Sequence, residues 1–156
     1  MRALALVAVA IALAVRPAFG AFPDLSSATH GEAFRVAPLF DKHYRSSKRF
    51  RDAKLISGPK VLSPSDMALA ARELESIHAV EITSDCLFAP RYGFRFKVPA
   101  GTLDVLICPT CDEVQFIMDR ATDHVLRRCS MAEHRSELLQ MLKRLFPDYP
   151  LRDTEA

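Results

Sequence analysis

"YGFRFKVPAGTLDVLICPTCDEVQF", Tyr92–Phe116, is the stretch whose reading decides the fold. Tyr92, Phe94, Phe96 and Val98 alternate with Gly93, Arg95 and Lys97, the period-two pattern of a strand with one buried face. "PAGT" turns the chain, and "TLDVLIC" returns it with Leu103, Val105 and Ile107 on the same side, so the spacing predicts a β-hairpin. After Cys111, Val114, Phe116 and Met118 fit a strand, while Val114, Ile117, Met118 and Ala121 fit a helix. The density of β-branched and aromatic residues favours the strand. "DRATD" then reads as a turn and "HVLRR" as a further short strand.

On either side of this hairpin lies a helix. Ser63 caps, Pro64 suits the first helical position and Asp66 completes a capping box. Met67, Ala70, Ala71, Leu74 and Ile77 share one face, and the helix should end near His78. "AVEIT" follows as a short alternating strand. The last helix has Ser130 as cap and Glu133 three residues on, presents Leu138, Leu139, Leu142, Leu145 and Phe146, and stops at Pro147. The expected fold is therefore α+β, a small antiparallel sheet of three to four strands with a flanking helix at each end.

The chain begins "MRALALVAVAIALAVRPAFG", with Arg2, an apolar run from Ala3 to Val15 and a small-residue exit, which reads as an export signal over 1–20. Arg16 and Pro17 stop that run short of a membrane span. No later run is long enough to span a bilayer, so the mature chain is expected to be exported, periplasmic or secreted, with no transmembrane segment. The whole chain has 21 basic and 19 acidic side chains. Arg2 and Arg16 leave with the signal, and the mature chain is then neutral.

Residues 21–57 carry 7 basic against 4 acidic groups and lack a clean period, which suggests an irregular basic arm. "SGPK", Ser57–Lys60, reads as its border with a cysteine-containing domain over 58–150, followed by a tail over 151–156. Within the arm, 42–54 holds Lys42, Arg45, Lys48, Arg49, Arg51 and Lys54 against Asp52 alone. Such a run suits an anionic envelope surface or an acidic protein partner, or is a solvated arm. Export argues against nucleic acid.

Cys86, Cys108, Cys111 and Cys129 are an even set in an exported chain, where disulfides are the first expectation, with three pairings open. A second reading makes Cys108 and Cys111 of "CPTC" a thiol-disulfide redox pair. Against it, Asp112 and Glu113 follow at once and would oppose a thiolate. A third takes Cys108, Cys111, His124 and Cys129 as C-x2-C-x12-H-x4-C, the ligand interval of a small zinc site; all four cysteines form another ligand set. Arg91 either tunes a thiol or grips an anion, or closes a salt bridge with Asp85 or Asp104. The acids Asp112, Glu113, Asp119 and Asp123 lack calcium-loop spacing and read as a solvated face. No nucleophile elbow, phosphate loop or Rossmann fingerprint occurs.

"CLFAPRYGFRF" followed by "VLICPTC" resembles a family of small exported bacterial proteins. These share a cysteine, a Pro-Arg pair leading into an aromatic strand, a returning strand ending I-C-x-x-C, and flanking helices. The resemblance covers about Lys54 to Pro150. It implies that Cys86, Cys108, Cys111 and Arg91 act as a unit, leaves Cys129 outside it and brings no activity. The chain departs from that pattern at Tyr92, where histidine is common, and in the three residues between Cys86 and Pro90, where two are usual. The functional expectation is a non-enzymatic binding or envelope-associated module stabilised by disulfides and needing no cofactor. The alternatives are a thiol oxidoreductase and a zinc-stabilised module.

Overall fold

The alternating hairpin stands at the centre of a larger sheet than its neighbours announce. The computed structural model describes residues 22–77, 85–119, 124–132 and 135–148. In chain order it contains β1 (His30–Pro38), β2 (Arg49–Phe50), β3 (Ala53–Val61), α1 (Pro64–Ile77), β4 (Tyr92–Val98), β5 (Gly101–Cys108), β6 (Glu113–Asp119), β7 (His124–Ser130) and α2 (Arg135–Leu145). All seven strands form one sheet, ordered β2-β3-β1-β4-β5-β6-β7, and every pairing is antiparallel. The sheet curls into a half-barrel.

The expected α+β sheet of three to four strands with a helix at each end is thereby corrected. The fold is mostly sheet, and both helices contribute to one core on the same sheet face. The missing strands lie in the segment read as an irregular arm, which supplies β1, β2 and the start of β3. β1 sits in the middle of the sheet, between β3 and β4. It is covered on both sides, and its burial does not alternate. Arg35 stands on its helix side, buried with its guanidinium 4.6 Å from the centre of the Tyr92 ring.

β3 runs through "SGPK" rather than stopping there. Its register against β1 shifts between Ala33 and Arg35 and again between Arg35 and Val36, and such bulges erase a period-two signature. Gly58 holds a φ of 107°, and a Cβ there would lie 2.8 Å from the Ala33 carbonyl oxygen. Glycine is what lets the two backbones approach.

Where the sequence pattern was regular, it holds. The Ser63 hydroxyl accepts from the Asp66 backbone N–H at 3.2 Å, capping α1 as expected. Tyr92, Phe94, Phe96, Leu103, Val105 and Ile107 are almost wholly buried, packed with Leu74, Ile77, Leu138 and Leu142 of the helices. The segment after Cys111 is a strand, and "HVLRR" lies in β7. Ser130 belongs to β7 instead of capping α2. "AVEIT", most of "DRATD" and the segments 1–20 and 151–156 lie outside the described residues.

The opposite face, inner in the sense that β2 folds over it, is different in kind. Phe34, Val36, Phe50, Ala53, Leu106 and Ile117 make a second, small core there. β2 folds over this face, with Phe50 stacked on Phe34 at 4.3 Å between ring centroids. A Cβ on Gly93 would meet the Phe50 ring at 2.6 Å, so the bare backbone of β4 is the seat of that ring.

Candidate functional site

Two segments converge where β4 begins: the loop that leaves β1 and the cysteine segment from Asp85 to Arg91. Arg91 joins them. Its backbone N–H donates to the Ile107 carbonyl at 2.9 Å and its carbonyl accepts from Val36 N–H at 3.0 Å, so it is fixed on both sides by the sheet. Its guanidinium donates to Asp41 at 2.8 Å. The salt bridge expected with Asp85 or Asp104 is thus made with Asp41. Burial would raise the Asp41 carboxyl pKa, but the Arg91 guanidinium and the His43 backbone N–H hold it below the usual carboxylate value. The ammonium of Lys54 reaches the Asp41 carbonyl, and Asp41 N–H donates to Pro38. The first residues of the loop are therefore firmly seated.

Beyond Asp41 the chain is cationic and outward. Lys42, Arg45, Lys48 and Arg49 are exposed, and none has an ion-pair partner among the described residues. Leu39 and Phe40 precede them, 45% and 56% exposed. Leu87, in the segment held by Arg91, is also exposed.

The other cations of the basic run turn inward. Arg51, with φ 52° in the turn between β2 and β3, pairs with wholly buried Asp104 and with Asp119. Arg95 grips Asp104 through two hydrogen bonds at 2.7 and 2.8 Å. Burial works against a charged Arg51, yet its carboxylate partners outweigh burial and raise its pKa. The hydrogen bond to Asp104 does the same for Arg95. Glu113, also buried, is paired with Arg128. Of the acids read as a solvated face, Glu113 is a buried anchor, while Asp119, its side chain 45% exposed, pairs with Arg51 at the rim.

Cys86 and Cys111 form a disulfide, closing 25 residues of chain separation with Cα atoms 5.9 Å apart. It ties the cysteine segment to the β5–β6 turn. Cys108 and Cys129 are buried and stand outside this bridge. The register sets them on opposite faces of the sheet: Cys108 is opposite Glu113, whereas Cys129 is opposite Val114 in the helix-side core. Cys108 Sγ accepts from Ala89 N–H at 3.3 Å and lies 3.6 Å from the Thr110 hydroxyl.

The proposed zinc ligands are not brought together. Cys111 is committed to Cys86, and His124 pairs with Asp119 at the other end of β6 from Cys108, six residues or about 20 Å away. Among the described residues no group of three or more metal-ligating side chains occurs. "CPTC" does not open a helix, since β6 follows it, so no helix N-terminus acts on either sulfur. The structure does assemble Cys86, Cys108, Cys111 and Arg91 at one end of the sheet.

Sequence reasoning missed Asp41 as the partner of Arg91, Asp104 as a double anchor, and a groove of about 910 Å³ between α1 and the start of β1, lined by Leu25, Val61, Met67 and Glu75 among others. The strict alternation that places Asp104 between Leu103 and Val105 was the available signal: it puts a buried carboxylate on the sheet face away from the helices, where only a cation can accompany it. No family model, curated protein or solved structure matches the chain. No described helix is long and apolar enough to cross a membrane.

Proposed function

We propose that the mature chain is an exported, disulfide-stapled docking module that settles on an anionic lipid surface through residues 39–49. One observation carries the reading: exposed Leu39 and Phe40 stand directly before four exposed cations that have no ion-pair partner among the described residues. Apolar side chains that enter the headgroup boundary beside lysine and arginine are the ingredients of interfacial binding. An anionic polysaccharide would use the cations and leave Leu39 and Phe40 in water. The Arg91–Asp41 pair, the Lys54 contact and the Cys86–Cys111 bridge supply a rigid mount, so that little ordering accompanies docking.

Co-sedimentation of the mature chain with phosphatidylcholine vesicles, with and without phosphatidylglycerol, tests this. Binding is expected only with the anionic lipid and should weaken with salt. Each cation near such a surface contributes about 1 kcal/mol, so the double change Lys48→Ser, Arg49→Ser should weaken binding roughly thirtyfold. Phe40→Ser should weaken it without changing the salt dependence. Equal binding to neutral vesicles, or none to either kind, overturns the reading.

A further inference from the structure

The sulfur end of the sheet holds more than a staple. Cys111 lies in the turn 109–112 between Cys108 of β5 and Glu113 of β6, residues that face each other in register. A tight turn of this size keeps residues three apart within about 7 Å between Cα atoms, and a disulfide spans about 4.4–6.8 Å. Cys111 is therefore within bridging reach of Cys108 as well as of Cys86, to which it is bonded. One short segment organises all three sulfurs: it begins at Cys86, its Leu87 carbonyl oxygen lies 3.4 Å from Cys111 Sγ, and its Ala89 N–H donates to Cys108 Sγ.

Cys108 Sγ is held in place beside this segment. The Ala89 N–H donates to it at 3.3 Å, and the Thr110 hydroxyl lies 3.6 Å away. Glu113, opposite Cys108 in register, is held by its ion pair with Arg128. Accessibility runs in sequence through the three residues: Cys108 is fully buried, Cys111 is half-buried and Cys86 is exposed.

We propose that Cys108 makes this an exchangeable disulfide with two states, which presents Cys86 as a reactive surface thiol toward disulfide-bonded peptides or proteins. The Cys108 thiolate attacks Cys111 Sγ, the Cys108–Cys111 bond forms, the Cys86–Cys111 bond breaks, and the Cys86 sulfur leaves as a thiolate that takes the proton given up by Cys108. No electrons enter or leave the protein. Cys86 then loses that proton to solvent and its thiolate attacks an external disulfide, forming a mixed disulfide and expelling one thiolate. This inference stands on the sulfur geometry and does not require the lipid reading, whose mount keeps the Arg91–Asp41 pair and the Lys54 contact when the bridge is exchanged.

The test incubates the native chain, without reductant, with an aromatic disulfide that releases a coloured thiolate, and maps the product by mass spectrometry under acid quench. The expected product carries the label on Cys86 together with a Cys108–Cys111 bridge, and labelling proceeds at a rate independent of reagent concentration once exchange limits it. Cys108→Ser should abolish the Cys86 label while retaining Cys86–Cys111. In Cys86→Ser, refolded in a glutathione redox buffer, the Cys108–Cys111 bridge should form. Label on Cys108 with the Cys86–Cys111 bond intact, no label on Cys86 in the native chain, or a Cys86→Ser protein lacking the alternative bridge would each overturn the proposal.

Discussion

The two faces of the half-barrel solve the same burial problem with different chemistry. The helix face buries aromatic and aliphatic side chains of β4, β5 and β6 under α1 and α2. Each apolar group there packs without a specific partner, so the face tolerates exchanges of similar volume. The inner face is too small for that: Phe50 and Phe34 cover one end, and the rest is closed by Arg51, Arg95, Asp104 and Asp119. A buried carboxylate is tolerable only while its cations are present, so the inner face depends on particular pairs. It is also the face that positions the β2–β3 hairpin and, through it, the cationic loop.

The largest effects come from breaking each face by its own rule. Phe94→Ala should lower unfolding stability by about 3–5 kcal/mol through lost burial and a cavity. Asp104→Ala removes the shared partner of Arg51 and Arg95 and should destabilise by about 3 kcal/mol. The two should differ in where the protein opens. Native-state hydrogen exchange of Phe94→Ala should show protection falling throughout the sheet, and that of Asp104→Ala should show β2 and β3 opening first. A near-silent Asp104→Ala would mean that the inner face does not depend on its charges.

This contrast also explains how much of the molecule was legible beforehand. The helix face reads directly, because burial by apolar contact writes a period of 2.0 or 3.6 into the chain. Tyr92 to Val98 and the Leu138–Leu142 stripe were found that way, and the Ser63 cap by its capping chemistry. The inner face and β1 leave no such mark. Arg35 sits in β1 where an apolar residue would sit, Gly93 reads as a gap although it is the seat of Phe50, and the β3 bulges break alternation at Ser57 to Lys60. Cation-rich 42–54 read as one unit, but fold divides it into inward Arg51 and outward Lys42, Arg45, Lys48 and Arg49. At the site, the Cys86–Cys111 pairing and the role of Asp41 required the fold, since neither spacing nor period relates residues 25 and 50 positions apart.

A smaller change sharpens the comparison at its boundary. Gly93 lies on the strand that both faces share, and its missing Cβ is what lets Phe50 rest on β4. Gly93→Ala should destabilise by about 1–3 kcal/mol by forcing that ring away. If contact with Phe50 is the cause, a double-mutant cycle with Phe50→Leu should recover part of the loss. The same glycine change without any coupling to position 50 would place the cost in β4 itself.

The smallest effect tests the link between the inner scaffold and the surface loop. Asp41 has its pKa lowered in the folded state, since Arg91 and the His43 N–H outweigh the opposing effect of burial. A carboxyl group depressed by folding contributes stability above its unfolded pKa, near 3.8, and that contribution is lost as pH falls through the lower folded value. The latch should therefore be intact at neutral pH and open only in strongly acid solution. Because asparagine keeps an oxygen that can accept from Arg91 and from the His43 N–H, Asp41→Asn should cost only about 1 kcal/mol of global stability. Its consequence should be local: at neutral pH the variant's residues 39–49 should exchange amide protons faster, as those of the parent do only in acid, while β4 to β6 remain protected. Unchanged exchange in Asp41→Asn would show that the loop is seated by Lys54 and the backbone alone, and that Arg91 serves the cysteine segment instead.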